Sequence, residues 1–218
     1  MDFDEIKSHI LKYQQEEKRL FTTSSFQTHS IVLLHLLSRI DQSIPVYCLN
    51  TGFLFPETMA YKDQLATEFG LNMIEVKPDV PKSLQKDSDG KLLFASDPDR
   101  CCHYNKVQPM DRLLSDHDIW INGIRKDQNA NRAKMKVEEK SKFNTIRFHP
   151  MLEWTNKMIF DYIREYDLPK HPLEAEGYTS IGCEPCTRKP SLEMMEREAR
   201  WYGMNKTECG LHTDLVSK

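Results

Sequence analysis

The chain has 218 residues, 39% of them hydrophobic, enough for one substantial core, and the length favours one domain over two. Its 30 basic and 33 acidic residues nearly cancel, so no overall field draws it to nucleic acid or an anionic membrane, and an anionic ligand must be met by local basic groups. The charged N-terminus lacks the apolar region of a signal peptide and no apolar run is long enough to span a membrane, so a cytoplasmic location is expected.

Residues 4–19 predict a helix, with Ile6, Ile10, Leu11 and Tyr13 as a partial apolar stripe. A short strand from Leu20 follows, then a polar loop over 22–28. The run 30–40 is apolar on nearly every side and suits a helix buried against a sheet, while 44–49 has the content of a buried parallel strand. A second such helix is expected at 56–69, opened by Pro56 and closed by Gly70, before a strand at 72–76. Residues 78–99, rich in Pro, Asp, Ser and Lys, read as a surface excursion.

Beyond it a helix is expected near 104–115, strands at 118–124 and 144–149, and an amphipathic helix at 155–166 capped by Thr155. A further helix is expected around 191–201. The alternation predicts an α/β fold with a mainly parallel sheet flanked by helices. Residues 1–200 are expected as a single ligand-binding domain and 201–218 as a mobile C-terminal tail carrying Cys209.

Six cysteines in a reducing compartment point to metals or catalysis rather than disulfides. Four fall in two groups, the adjacent Cys101 and Cys102 and the Cys183-Glu184-Pro185-Cys186 turn. Four thiolates suit a tetrahedral zinc or an iron-sulfur cluster, while the second group taken alone also fits a redox pair or a turn of buried thiols. Adjacent cysteines must both turn onto one compact ion, which favours the cluster. Cys48, inside an apolar strand, reads as a core thiol, and His29 and His103 lack a spaced partner and are assigned no role.

Adjacent cysteines followed after about eighty residues by Cys-x-x-Cys resemble the cluster signature of bacterial and plant-type adenylylsulfate reductases. Residues 49–58 (LNTGFLFPET), Gly123 to Gln128 (GIRKDQ) and Lys206 to His212 (KTECGLH) are similar to three further segments of that family, in the family's order. The resemblance runs from about residue 20 to the C-terminus.

It implies a fold like the adenine nucleotide alpha-hydrolases, with a 4Fe-4S cluster on Cys101, Cys102, Cys183 and Cys186. It also implies reduction of adenylyl sulfate to sulfite and AMP in sulfate assimilation and cysteine biosynthesis. Cys209 would be the nucleophile, passing through an enzyme S-sulfocysteine that thioredoxin or a similar dithiol resolves. Lys206 nearby favours the thiolate and Glu208 opposes it. Substrate-binding positions implied are Ser24, Ser25, Thr28, Lys106, Arg125, Arg197, Arg200 and His212; Arg suits oxyanions through its bidentate fork. Neither nucleic acid nor a membrane is expected as a partner, and a homo-oligomer is left open.

One segment departs from the family pattern. Its relatives carry a glycine-rich loop with an acidic residue before the first core helix, whereas this chain has Ser24-Ser25-Phe26-Gln27-Thr28-His29-Ser30. Without glycine a phosphate is met less closely, although hydroxyls and the helix N-terminus still donate. The missing carboxylate argues against a zinc-stapled ATP pyrophosphatase or nucleotidyl transferase of the same fold, which needs magnesium ligands. The sequence is also compatible with a reductase of 3′-phosphoadenylyl sulfate and with a non-enzymatic iron-sulfur binding module.

Overall fold

The computed structural model describes residues 1–191, 199–203 and 211. The expectations for Arg197, Lys206, Cys209 and His212, and for a helix around 191–201, fall on or largely on residues outside that description.

Helix α1 (Phe3–Gln15) begins in a capping box: Asp2 accepts from the Glu5 N–H and Glu5 accepts from the Asp2 N–H, at 2.9 and 2.8 Å. It buries Ile6, Ile10 and Tyr13, and stops four residues short of expectation because Glu17 turns into the left-handed region at φ 56. β1 (Leu20–Thr23) leads through residues 24–27 to α2 (Thr28–Ile40), which is buried on most sides as its apolar run predicts. β2 (Val46–Leu49), α3 (Pro56–Phe69) and β3 (Met73–Val76) complete the first half. Pro56 opens α3 and Gly70 closes it at φ 62, as expected.

The second half contains α4 (Leu93–Ser96) and then one unbroken helical path. That path is α5 (Pro98–Cys102), a π-helical turn over His103–Val107, and α6 (Gln108–Asp116). It starts six residues before the expected helix because Asp97 caps it, accepting from the Arg100 N–H at 3.0 Å. β4 (Ile119–Ile121), β5 (Glu138–Lys140), β6 (Ile146–Phe148), α7 (Asn156–Glu165) and α8 (Pro172–Ala175) follow. Thr155 caps α7 as predicted, accepting from the Met158 N–H at 3.3 Å.

The six strands lie in the order β3-β2-β1-β4-β6-β5, all parallel except the edge strand β5, which runs antiparallel to β6. The expected mainly parallel sheet flanked by helices is thus observed. One face packs against α1, α2, α3 and α7 through residues such as Ile10, Leu34, Leu65 and Ile159. The other packs Phe21 and Trp120 against Val107, Met110, Leu113 and Leu114 of the π turn and α6. No helix among the described residues is long and apolar enough to cross a membrane.

Two histidines in this core set an acid limit on stability. His149 and His171 are 0% and 1% exposed, and burial lowers each to about 4 from an ordinary 6.5. A base depressed in the folded state stabilises fully above its unfolded value, and that contribution is lost as pH falls from 6.5 toward 4. At pH 5 the expected loss is roughly 2 kcal/mol per histidine relative to pH 7. Urea denaturation at the two pH values measures it, and an unchanged midpoint would contradict it.

Candidate active site

The order of strands reverses about β1, which has β2 on one side and β4 on the other. Such a switch point leaves a crevice beyond the carboxyl ends of the strands, where α/β sheets bind ligands. A pocket of about 430 Å³ lies there, lined by Thr23 at the end of β1 and Ser24 to Gln27 after it, Leu49 at the end of β2, and Asn122 to Arg125 after β4. Its volume falls in the range of small-molecule and cofactor sites.

Ser24 and Ser25 line this pocket. Thr28 does not: it is 2% exposed and its Oγ1 accepts the His171 N–H at 3.0 Å. Within the loop that lacks glycine, Phe26 takes φ 55, a conformation uncommon for a bulky side chain. Ser24 Oγ accepts its N–H at 3.0 Å, and its ring is buried in the core, which holds the loop without glycine. Gln27 ties the loop across the pocket, since its Oε1 accepts the Ile181 N–H at 3.0 Å.

Among the described residues, four cationic side chains line this space: Lys106, Arg125, Arg132 and Arg200. Arg125 is 2% exposed and its fork is oriented by Asp127, at 3.1 Å, and by Asn156. Arg200 donates to the Ile181 carbonyl at 3.2 Å and lies over the Trp201 ring, its carbon 4.5 Å from the centroid. The guanidinium rests so close to Gly182 that any Cβ there would overlap it. A side chain at 182 would displace the guanidinium from its present place. Arg132, held by Gln128, is a site residue that sequence reasoning missed; its position seven residues after Arg125 was the available signal. Residues 180–182 were missed too, because nothing in their composition marks them.

Lys106 reaches the pocket from the π-helical turn, a distortion frequent at functional sites. Trp201 is 3% exposed and its backbone N–H donates to the Cys186 carbonyl at 3.0 Å, so the chain is fixed to the domain at that point. Leu211 also lines the pocket.

Cys183 forms part of the pocket wall and, with Cys101, Cys102, Cys186 and Lys106, lines a second, much smaller pocket. The two cysteine groups, about eighty residues apart in sequence, are thereby brought together. Apolar rings surround them: Phe53 and Phe94 line the pocket with ring centroids 5.3 Å apart, and Leu93 is buried beside them. The excursion at 78–99 thus supplies a cover for the cysteines. Cys183 approaches Thr51 Oγ1 at 3.3 Å, and Leu54 bridges to it through an antiparallel pair. Burial first, and the neighbouring Cys183 and Cys186 thiols next, push the Cys101 thiol up to about 11. The space between these cysteines is about 10 Å³, room for no more than one water. Among the described residues no three His, Cys, Asp or Glu side chains form a ligand group for a metal ion.

Fold and site together give an α/β sheet whose switch-point pocket, lined by cationic side chains, shares a wall with a group of cysteines. The chain belongs to the phosphoadenosine phosphosulfate reductase domain family, whose profile matches residues 19–189. It is 40% identical to the adenosine 5′-phosphosulfate reductase of Chelativorans sp. (strain BNC1) over 198 residues, covering 91% of this chain and 80% of that one. It is 38% identical to the phosphoadenosine 5′-phosphosulfate reductase of Gloeobacter violaceus, covering 89% and 82%. The crystal structure of phosphoadenylyl-sulfate reductase from Candida auris, a phosphate complex, shares the fold with a TM-score of 0.66 at 20% identity, covering 84% and 94%. The chain is accordingly an oxidoreductase of sulfate assimilation.

Proposed function

We propose that the protein reduces adenylyl sulfate to sulfite and AMP, with a dithiol of the thioredoxin type as reductant. The observation that carries this reading is the cationic pocket at the switch point, whose wall at Cys183 and Lys106 is shared with the four-cysteine pocket. Apolar side chains Leu33, Leu34 and Ile124 offer the pocket surface for a base, and Arg125, Arg200 and Lys106 offer charge for a phosphate and a sulfate.

Cys209 is assigned as the nucleophile; Leu211, two positions on in sequence, lines the pocket. Its thiolate attacks the sulfate sulfur, the bond from that sulfur to the phosphate oxygen breaks, and AMP leaves with the electron pair. The sulfonate stays on Cys209. One thiolate of the reductant then attacks the Cys209 sulfur and expels sulfite, and its second thiol closes a disulfide in the reductant and frees Cys209. Two electrons pass from dithiol to sulfur. The cations hold the negative charge that grows on the leaving phosphate, an electrostatic contribution made without reorganisation.

Cys101, Cys102, Cys183 and Cys186 are assigned to a 4Fe-4S cluster. Four thiols on one apolar pocket form a donor set that fits such a group, and the thiols would have to part to admit it. Once bound, it would supply a rigid centre whose thiolate charge favours the ammonium of Lys106 beside it. Lys106, lining both pockets, then serves as the link to the substrate sulfate. Arg197 and His212 are assigned to substrate binding and lie outside the described residues.

The ratio of kcat/KM for adenylyl sulfate and its 3′-phosphorylated form, with one reductant, tests the substrate assignment. A ratio of at least about tenfold for adenylyl sulfate is expected, because residues 24–30 bring no Lys or Arg to a further phosphate. Preference for the 3′-phosphorylated compound, which the name of the Gloeobacter relative makes the second reading, would overturn it.

A further inference from the structure

A pair of neutral amides is buried against the cysteine pocket, outside every residue assigned above. Gln85 and Asn105 are each 2% exposed. Their side chains exchange two hydrogen bonds: Gln85 Nε2 donates to Asn105 Oδ1 at 2.9 Å, and Asn105 Nδ2 donates to Gln85 Oε1 at 2.6 Å. Gln85 Nε2 also donates to the Val80 carbonyl at 2.8 Å. Asn105 Nδ2 also donates to the Cys101 carbonyl at 2.8 Å and stands 3.5 Å from Cys101 Sγ. Two amides sealed from water are retained only if satisfied, and apolar side chains of similar size would fill the space with no such requirement. What the amides add is a directed N–H beside one cysteine sulfur.

The placement of the two residues makes that direction firm. Asn105 sits on the π-helical turn one residue before Lys106, and Gln85 lies on the excursion, where its carbonyl accepts the Leu93 N–H at 2.9 Å. Leu93 and Phe94 then close over Cys101 and Cys183. The amide pair is a buried polar link between the cysteine-bearing helix and its cover.

We propose that Asn105, held in orientation by Gln85, is a positioning residue for Cys101: the N–H it gives the Cys101 carbonyl is shared with the sulfur 3.5 Å away and fixes the direction of that sulfur. The inference rests on the assignment of Cys101 to an iron-sulfur cluster. A hydrogen bond to a ligand sulfur withdraws charge from it and tunes the centre, and partners of this kind commonly change metal retention about 10- to 100-fold when removed.

The test compares protein purified without oxygen with three variants: Asn105→Asp, Gln85→Leu and the double replacement of Gln85 and Asn105 by Leu. Asn105→Asp keeps the shape and removes the N–H donors. The double variant leaves no unpaired amide and restores apolar packing, so its urea midpoint is expected to lie nearer the parent's than that of Gln85→Leu. Iron release to a chelator is nonetheless expected to quicken about tenfold in both Asn105→Asp and the double variant. The sulfur-to-iron charge-transfer absorption is expected to move to longer wavelength in both. A double variant with parental absorption and parental iron release would show that the pair only fills space, and would overturn the proposal. Parent protein without iron or acid-labile sulfide would instead overturn the cluster assignment itself, and the proposal with it.

Discussion

Replacing Cys209 with serine is expected to abolish sulfite formation, lowering turnover by at least about 10⁴-fold, while AMP still binds and iron content is unchanged. The size follows from the role: a group that forms and breaks the covalent bond has no substitute in the site, and removal of a nucleophile of this kind costs on the order of 10⁶. Serine keeps the shape, but its hydroxyl is a far weaker nucleophile near neutral pH than a thiol. None of the five cysteines in the described residues stands as a replacement. Cys48 is buried in β2, where desolvation pushes its thiol up to about 11, and the other four crowd one apolar pocket. A reductant-coupled assay measures the effect, and turnover within tenfold of the parent would remove Cys209 from the mechanism.

Replacing any one of Cys101, Cys102, Cys183 or Cys186 with alanine is expected to lose nearly all bound iron and to destabilise the domain. A cluster held by three protein thiolates has one iron corner open to solvent and oxidant. The loss reaches the fold because the two cysteine segments are held to neighbouring elements at this point. The Glu184 N–H donates to the Phe53 carbonyl at 2.7 Å, and Asn105 Nδ2 to the Cys101 carbonyl at 2.8 Å. Metal binding that joins two such segments is also folding free energy. Iron and acid-labile sulfide per chain, measured after anaerobic purification, check the prediction. Full occupancy in one variant would take that cysteine out of the ligand set.

The parallel sheet and its main helices are legible in the sequence because their signals are local. The all-round apolar run of α2, the Pro56 to Gly70 bracket of α3 and the Thr155 cap of α7 each need only neighbouring residues. β5 is not legible, because Glu138-Glu139-Lys140 has the charge of a surface loop; as an exposed edge strand it needs no apolar alternation. The helical path over 98–116 begins earlier than its periodicity suggests because a π turn shifts the pattern between Cys102 and Gln108.

At the site, the pairing of the cysteine groups is legible from spacing and resemblance. The tertiary members are not. Gln27 reaching Ile181, Arg200 reaching Ile181 and Gln85 reaching Asn105 join residues 154, 19 and 20 positions apart, and nothing within either segment marks the other. The excursion at 78–99 reads as surface for the same reason, since its polar composition hides that Leu93 and Phe94 cover a thiol pocket.

The central claim is a covalent first half-reaction at Cys209, and one measurement addresses it directly. Protein is mixed with adenylyl sulfate and no reductant, AMP is counted per chain, and the adduct is located by mass spectrometry of the intact protein and its peptides. One AMP per chain and a single sulfonate on Cys209 are predicted, with sulfite released only when the dithiol is added. AMP released with no adduct, or a sulfonate on another cysteine, would contradict the account.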